Sequence, residues 1–138
     1  NSRFLRKSFL QKVFGEQFLK IEEEEDTLSE KNYIFINLVK DFILKNIDQE
    51  NLTIDEVASE LCMSRTTFFN KWKSLTGEAP KYFIYRIRME KARELLESGR
   101  YSVNVVPEMI GLRNLKNFRH KYKEYFGITP SESIMKKQ

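Results

Sequence analysis

The sequence repeats itself at an interval of fifty residues, and this repeat limits the folds that the chain can adopt. Moving the stretch around Phe68 forward by 50 positions places aromatic residues on aromatic residues, lysines on lysines, glycine on glycine and proline on proline. The matched pairs are Phe68 with Phe118, Lys71 with Lys121, Trp72 with Tyr122, Lys73 with Lys123, Gly77 with Gly127 and Pro80 with Pro130. Such internal similarity indicates two copies of one small structural unit.

Each copy carries the signals of two short helices that meet at a tight turn. In the first copy Thr53 and Glu56 have the spacing of a capping box, in which a side-chain oxygen accepts from a free amide at the start of a helix. A break follows at Cys62, after which Ser64 is a suitable N-cap and Gly77 a suitable left-handed end for the second helix. The first helix has an apolar stripe that we expect to be buried, formed by Ile54, Val57, Ala58 and Leu61.

Helical patterns also precede the first copy and link it to the second. They predict one helix from Ser29 to Ile47 and another from Pro80 to Ser98, which Gly99 ends. The apolar faces are Phe35, Leu38, Val39, Phe42 and Ile43 in the first, and Phe83, Ile84, Ile87, Ala92, Leu95 and Leu96 in the second. We therefore predict an all-α fold: a domain over 32–138 with helix-turn-helix subdomains at 52–79 and 102–130, a long connecting helix at 80–98, and an N-terminal helical extension or linker at 1–31.

Composition argues against several classes of protein. A single cysteine, Cys62, cannot form an internal disulfide, and with a single histidine the chain lacks the clustered ligands of a structural zinc site. The longest apolar runs are too short to cross a bilayer, which takes about 20 residues. We expect a soluble, cytoplasmic protein without metal, cofactor, membrane contact or a separate catalytic domain.

Positive charge is concentrated in two parts of the chain, although the formal net charge is only +4. An acidic run begins at Glu22, whereas the middle and last thirds are basic. The basic residues are Arg65, Lys71, Lys73, Lys81, Arg86, Arg88, Lys91 and Arg93 in the middle third, and Arg113, Lys116, Arg119, Lys121, Lys123, Lys136 and Lys137 in the last. This bias suits a polyanionic partner, but solvated helix faces would have the same composition.

The helix that starts at Ser64 separates into an inner and an outer face. At 100° per residue Phe68, Trp72 and Leu75 share the inner side. The outer side carries groups that suit base edges and phosphates, Thr66, Phe69, Asn70 and Lys73, and its counterpart in the second copy is Leu115, Lys116, Arg119, His120 and Lys123. Phe69 is open to two interpretations, contact with a thymine methyl or cover for a neighbouring helix, and His120 is either a DNA contact or a surface residue.

Three segments in order resemble the AraC/XylS regulators. Residues 64–80 (SRTTFFNKWKSLTGEAP) look like that family's first recognition segment, 118–130 (FRHKYKEYFGITP) like its C-terminal signature, and 86–96 (RIRMEKARELL) like its connecting helix. The resemblance runs from about Asn32 to Ser133. It implies a sequence-specific transcription regulator, which is not an enzyme, bound to double-stranded DNA. It places base-reading positions at Thr66, Phe69, Asn70, Leu115, Lys116, Arg119 and His120, and backbone contacts at Lys73 and Lys123; we add Arg65, Lys71, Arg113 and Lys121 as phosphate contacts.

The second copy departs from the family at Pro107 and Leu112, where an alanine and an aromatic residue are usual. Proline inside a helix costs about 3 kcal/mol unless it lies in the first turn. We therefore expect this helix to start late, near Asn104 or Val105. Such a shift would tilt the second recognition helix.

The segment before the repeat resembles the lead-in of hybrid two-component regulators of the Bacteroidetes type, through Gln17 to Glu22. That resemblance implies an upstream receiver domain, RNA polymerase as the target and a possible homodimer. Six apolar residues could form an amphipathic docking helix, Phe4, Leu5, Phe9, Val13, Phe14 and Phe18, although a partly ordered linker fits equally well.

Two other functions compete with DNA reading. A helical protein-interaction module with a basic face would have the same charge pattern. An enzyme, such as a DNA-alkylation repair protein with Cys62 as acceptor, would need a base to activate the thiol, and no motif places one there. Since Cys62 lies beside Leu61 and Met63, we expect it to be a buried structural thiol.

Overall fold

The computed structural model describes residues 21–137, with side chains described for residues 28–135. This part of the chain is all-α, as predicted, and contains seven helices and no strand. They are α1 (Ile21–Lys45), α2 (Ile54–Glu60), α3 (Arg65–Thr76), α4 (Pro80–Glu97), α5 (Val106–Met109), α6 (Leu115–Phe126) and α7 (Pro130–Lys137). The apolar segment predicted between Phe4 and Phe18 lies outside the described residues.

The chain divides into two compact units between Lys40 and Asp41. In the first unit, α1 is already helical at Ile21, eight residues before the predicted start at Ser29, so the acidic run that starts at Glu22 is helical. This run consists mostly of glutamate, which has a good helix propensity, so a helix can extend through it. The predicted boundary at residues 31 and 32 therefore falls inside α1. Phe35 and Val39 are buried on this helix, whereas Leu28 and Tyr33 are exposed.

The second unit, from Asp41 onwards, contains both copies of the repeat. The predicted caps of the first copy are present: the Thr53 hydroxyl accepts from the Glu56 amide at 3.1 Å, and the Ser64 hydroxyl accepts from the Thr67 amide at 3.1 Å. These bonds satisfy amides that the first turn of a helix leaves free. They fix where α2 and α3 begin, and so they fix the turn between the two helices.

The second helix of the second copy reproduces its counterpart at the predicted shift. Helices α3 and α6 both contain 12 residues, and Asn114 caps α6 from the position that Ser64 holds for α3. Gly77 and Gly127 end them in the left-handed region, at φ 80° and 79°. Proline then opens α4 and α7, where a missing amide is harmless.

The core of this unit is built from the apolar stripes of both copies and of α4. Helix α4 packs against α3, α5 and α7, while α2 packs against α3 and α6 against α7. The buried side chains include Val57, Ala58, Phe68 and Trp72 in the first copy, Ile87, Met89, Ala92 and Leu96 in α4, and Val106, Ile110, Phe118 and Tyr122 in the second copy. Because one helix contributes to both cores, it links the two copies.

The second copy begins late, as the proline predicted. Helix α5 begins at Val106, and Pro107 lies in its first turn, where the ring clashes with no preceding carbonyl. Pro107 is also fully buried, so it contributes apolar surface to the core. Because it begins late, α5 is short: it has 4 residues, whereas α2 has 7.

Two predictions about single side chains were wrong. Cys62 is exposed, not buried. It lies in the left-handed region at φ 58°, in the turn that follows α2. Arg88, which we counted with the basic surface, is 6% exposed. It lies on the same face of α4 as Ile84 and Ala92, four residues away on either side, and this face packs inward.

None of the described helices combines the length and apolarity needed to cross a bilayer. Over the same residues, no group of three or more histidine, cysteine, aspartate and glutamate side chains could hold a metal ion.

Candidate nucleic-acid interface

The buried aromatic residues of α3 determine which of its side chains face solvent. Phe68 is 0% and Trp72 1% exposed, and the Trp72 ring lies 4.6 Å from the ring of Phe83 in α4. With these two residues inward, Thr66, Asn70 and Lys73 are exposed, as the helical spacing predicted. Phe69 is half-buried, which fits partial cover of its neighbours and leaves part of the ring accessible.

Helix α6 is oriented in the same way. Phe118 and Tyr122 are fully buried at the positions equivalent to Phe68 and Trp72. The predicted reading residues Lys116, Arg119 and His120 are exposed, together with Lys123, and Leu115 is half-buried. Both helices therefore present a polar stripe opposite a buried aromatic pair, and the stripe of α6 is the more basic.

All six predicted phosphate-contacting residues are exposed: Arg65, Lys71, Lys73, Arg113, Lys121 and Lys123. Arg65 and Arg113 each contact another part of the protein. The Arg65 guanidinium lies 3.4 Å from the Asp55 carboxylate of α2, and the Arg113 guanidinium donates to the Asp48 carbonyl oxygen at 3.4 Å. Each contact is long and open to solvent, so either guanidinium can exchange its partner for a phosphate at low cost.

The sequence reasoning missed two carboxylates that lie beside predicted DNA-contacting residues. Asp55 faces Arg65, and Glu124 lies 3.6 Å from the His120 imidazole nitrogen Nε2. The spacing of His120 and Glu124, four residues apart on one helix, was a signal that could have found the second pair. A carboxylate beside a basic stripe weakens the attraction of that stripe for a polyanion. Binding that depends on charge alone is therefore weaker.

Part of the predicted basic surface serves contacts within the protein. Arg86 donates to Glu78 at 2.6 Å, and the pKa of its guanidinium is raised, first by this hydrogen bond. Further along α4, the Arg93 guanidinium lies over the Phe126 ring at 4.9 Å, a cation–π distance. The rings of Tyr85 and Tyr125 meet edge to face at 5.9 Å. These contacts attach the end of α6 to the connecting helix, so both recognition helices are anchored on α4.

Comparison with known proteins agrees with this architecture. A family profile described as a helix-turn-helix domain matches residues 57–134. Among curated proteins, histidine kinase P4 of Formosa agariphila is 33% identical over 87 residues, which cover 63% of this chain and 6% of that protein. The chain likewise spans less than half the length of the other curated relatives compared with it.

The fold is similar to that of solved domains of regulators. The C-terminal domain of AraT, a response regulator from Geobacillus stearothermophilus, superposes with a TM-score of 0.65 and 26% identity, covering 74% of this chain and 84% of that one. The DNA-binding domain of AdpA, a global transcriptional factor solved in complex with a target DNA, gives a TM-score of 0.63 and 28% identity, covering 73% and 89%. With the profile match over more than half its length, the chain belongs to the AraC/XylS family of helix-turn-helix domains, the DNA-binding domains of transcription regulators.

Proposed function

We propose that this chain reads one DNA site by inserting α3 and α6 into two successive major grooves, about one turn or 10 base pairs apart. The observation that carries the proposal is the pairing of two 12-residue helices, capped alike, each with a polar stripe opposite a buried aromatic pair and both anchored on α4. A helix of this size fits the major groove, where each base pair presents a distinct pattern of donors and acceptors. One copy of the chain supplies both reading helices, so a single copy can occupy a site.

The exposed side chains suggest how the readout is divided. Asn70 can pair with adenine through two hydrogen bonds, and Arg119 with guanine in the same way. The accessible part of Phe69 suits a thymine methyl. The remaining proposed base contacts are Thr66, Leu115, Lys116 and His120. The cations at Arg65, Lys71, Lys73, Arg113, Lys121 and Lys123 would hold the register on phosphates, and this role makes binding depend on salt.

The first experiment is selection of sites from a random duplex library, followed by binding of the enriched site and a scrambled site across a salt series. Two short motifs about 10 base pairs apart, bound more tightly than the scramble at every salt concentration, are expected. Equal binding to both sites that vanishes with salt would favour the alternative, a protein-interaction module with a basic face.

A matched pair of variants distinguishes a phosphate contact from an effect of net charge in the salt series. Lys123→Ala removes a proposed phosphate contact, and the slope of log affinity against log salt should fall by about one. Lys91→Ala removes the same charge from α4, where Lys91 pairs with Glu94 at 3.3 Å and lies on neither recognition helix. Its slope should stay unchanged. Equal effects of the two variants would mean that net charge alone drives binding.

The wider context of the domain is also a proposal. Similarity to a histidine kinase and to the C-terminal domain of a response regulator supports a two-component protein, in which an upstream receiver domain controls this output domain. In that context a homodimer would read two sites, RNA polymerase would be the target, and the protein would work in the cytoplasm. Residues 32–138 would form the DNA-binding domain and 1–31 the link to the receiver.

This context can be tested on the full-length protein that contains the chain. Treatment with a small phosphoryl donor such as acetyl phosphate should raise its affinity for the selected site, or its dimerisation, as measured by sedimentation. No change in either quantity would contradict control by a receiver domain, and the DNA-reading proposal would stand independently.

A further inference from the structure

Arg88 is a cation inside the apolar stripe of the connecting helix. It lies at the middle of α4, with 6% of its surface exposed, between the buried residues Ile87 and Met89. Burial lowers the pKa of its guanidinium. A buried charge of this kind is costly unless it is hydrogen-bonded, so its partners explain why an arginine stands there.

Both hydrogen-bond partners of Arg88 are backbone carbonyls that come from distant parts of the chain. Nη1 donates to the Gly111 oxygen at 3.0 Å, and Nη2 donates to the Gln49 oxygen at 2.8 Å. Gly111 directly follows the C-cap of α5, in the turn that leads to α6. Gln49 lies in the loop after α1, which leads to α2. One guanidinium therefore joins the connecting helix to the loop before the first copy and to the turn inside the second copy.

The loop over 46–49 and the turn at Gly111 also touch each other. A Cβ atom added to Gly111 would lie 2.5 Å from the Ile47 carbonyl oxygen and 3.1 Å from Arg88 Nη1, so the two backbones approach as closely as glycine allows. Beside them the Arg113 guanidinium donates to the Asp48 oxygen at 3.4 Å. The turn of the second copy is thus fixed against the loop that opens the first copy, with Arg88 at the centre.

An apolar residue would suit the burial of this position, because the neighbours on α4 are apolar. What an apolar side chain cannot supply is the fork of directed donors, which fixes two carbonyls at a set separation. The geometry of Arg88 is suited to hold parts of the fold in register.

We propose that Arg88 is a positioning residue that sets the separation and angle between α3 and α6, and so the spacing in base pairs that the protein accepts between two half-sites. This inference rests on the proposed function. One added base pair moves a half-site by about 3.4 Å and turns it by about a tenth of a helical turn, so only a rigid pair of helices rejects it strongly. Loss of the Arg88 fork removes the hydrogen bond that ties the turn before α6 to α4, so the near end of α6 should tilt more readily, while Tyr125 and Phe126 still attach its far end to α4.

The test uses duplexes that carry the two selected motifs at the selected spacing and at one or two base pairs more or fewer. The unchanged protein should prefer the selected spacing over its neighbours by about tenfold or more. Arg88→Lys keeps the charge but carries all its donors on one nitrogen instead of a rigid fork, and Arg88→Met keeps the volume. Both should reduce this preference to about twofold while each motif is still required. Lys91→Met removes a charge from the same helix and should leave the spacing profile unchanged.

Circular dichroism and a thermal melt establish that each variant is folded at the assay temperature. If Arg88→Met does not fold, Arg88→Lys supplies the comparison. A uniform loss of affinity at all spacings, with the preference kept, would overturn the inference and assign Arg88 a structural role only. An unchanged profile would overturn it as well. If the unchanged protein prefers no pair of motifs at all, the proposed function itself fails, and that result is recognisable before any variant is made.

Discussion

The phenol oxygen of Tyr122 lies 2.6 Å from the hydroxyl oxygen of Ser133, and both side chains are buried. At the equivalent positions fifty residues earlier stand Trp72 and Phe83, whose rings meet at 4.6 Å. An aromatic contact in the first copy is therefore replaced by a hydrogen bond in the second. The second helices of the two copies share their length and caps, but the cores behind them are held together by different chemistry.

Tyr122→Phe should destabilise the second unit although it removes a single oxygen atom. The Ser133 hydroxyl would lose its partner inside the core, and an unsatisfied buried group of this kind costs about 1 to 3 kcal/mol. Urea unfolding of Tyr122→Phe, Ser133→Ala and the double variant measures this. Because the double variant leaves no orphaned group, its loss should be smaller than the sum of the single losses. Additive losses would contradict the proposed coupling.

The same phenol predicts a loss of stability at high pH. Burial raises the pKa of Tyr122 above its ordinary value of 10.0, against a smaller opposing effect of the Ser133 hydrogen bond. In the unfolded chain the phenol loses its proton first as the pH rises past about 10, whereas the native state retains it. The free energy of unfolding should therefore fall with pH in that window, and it should fall less steeply in Tyr122→Phe. Urea midpoints between about pH 8 and pH 11 test this, and equal slopes would contradict it.

Most of the local structure followed from short-range signals in the sequence. The caps at Thr53 and Ser64, the left-handed end at Gly77 and the late start before Pro107 each depend on residues within one turn of a helix, and all four are present. The repeat transferred these signals to the second copy. Helix periodicity also identified the buried aromatic pairs, so the outer faces of α3 and α6 followed by exclusion.

Long-range contacts could not be predicted in this way. The hydrogen-bond partners of Arg88 lie 23 and 39 residues away, and no pattern near Arg88 in the sequence predicts a contact with Gly111 or Gln49. Its place in the apolar stripe of α4, four residues from Ile84 and from Ala92, was the one available signal. The prediction that Cys62 is buried was wrong for a different reason. Its apolar neighbours in the sequence suggested burial, but Cys62 lies in a turn with a positive φ and is exposed.

Gly111→Ala should destabilise the protein more than Gly77→Ala. Both glycines have a positive φ, at 77° and 80°, so each alanine carries the same backbone penalty of about 1 to 2 kcal/mol. Nothing lies within 4 Å of a Cβ at residue 77, whereas a Cβ at residue 111 meets the Ile47 oxygen at 2.5 Å. The comparison isolates the steric contribution, measured by urea unfolding. Equal losses would mean that the 46–49 loop moves away without cost.

Asp55→Asn should raise the affinity for duplex DNA while it changes stability little. Asp55 faces the proposed phosphate contact Arg65 at 3.4 Å, and both side chains are more than half exposed. An exposed pair of this kind contributes about 0 to 1 kcal/mol to folding, but its carboxylate also repels a nearby phosphate. Glu94→Gln on α4 breaks the comparable pair with Lys91, at 3.3 Å, and should leave DNA affinity unchanged. A gain of the same size in both variants would reflect net charge, not the position of Asp55.

Asn70→Ala and Arg119→Ala test the two base-reading assignments, one in each recognition helix. Each side chain is exposed, so its loss should leave folding nearly unchanged. On the selected site each variant should lose about 1 to 3 kcal/mol of binding free energy, and much less on random DNA, because two directed hydrogen bonds to one base disappear. Selection repeated with each variant should relax a base in only one of the two motifs. Since α3 and α6 would occupy different grooves, relaxation of both motifs by one variant would contradict the assignment of one motif to each helix. Equal losses of affinity on selected and random DNA would mean that the substituted residue contacts a phosphate.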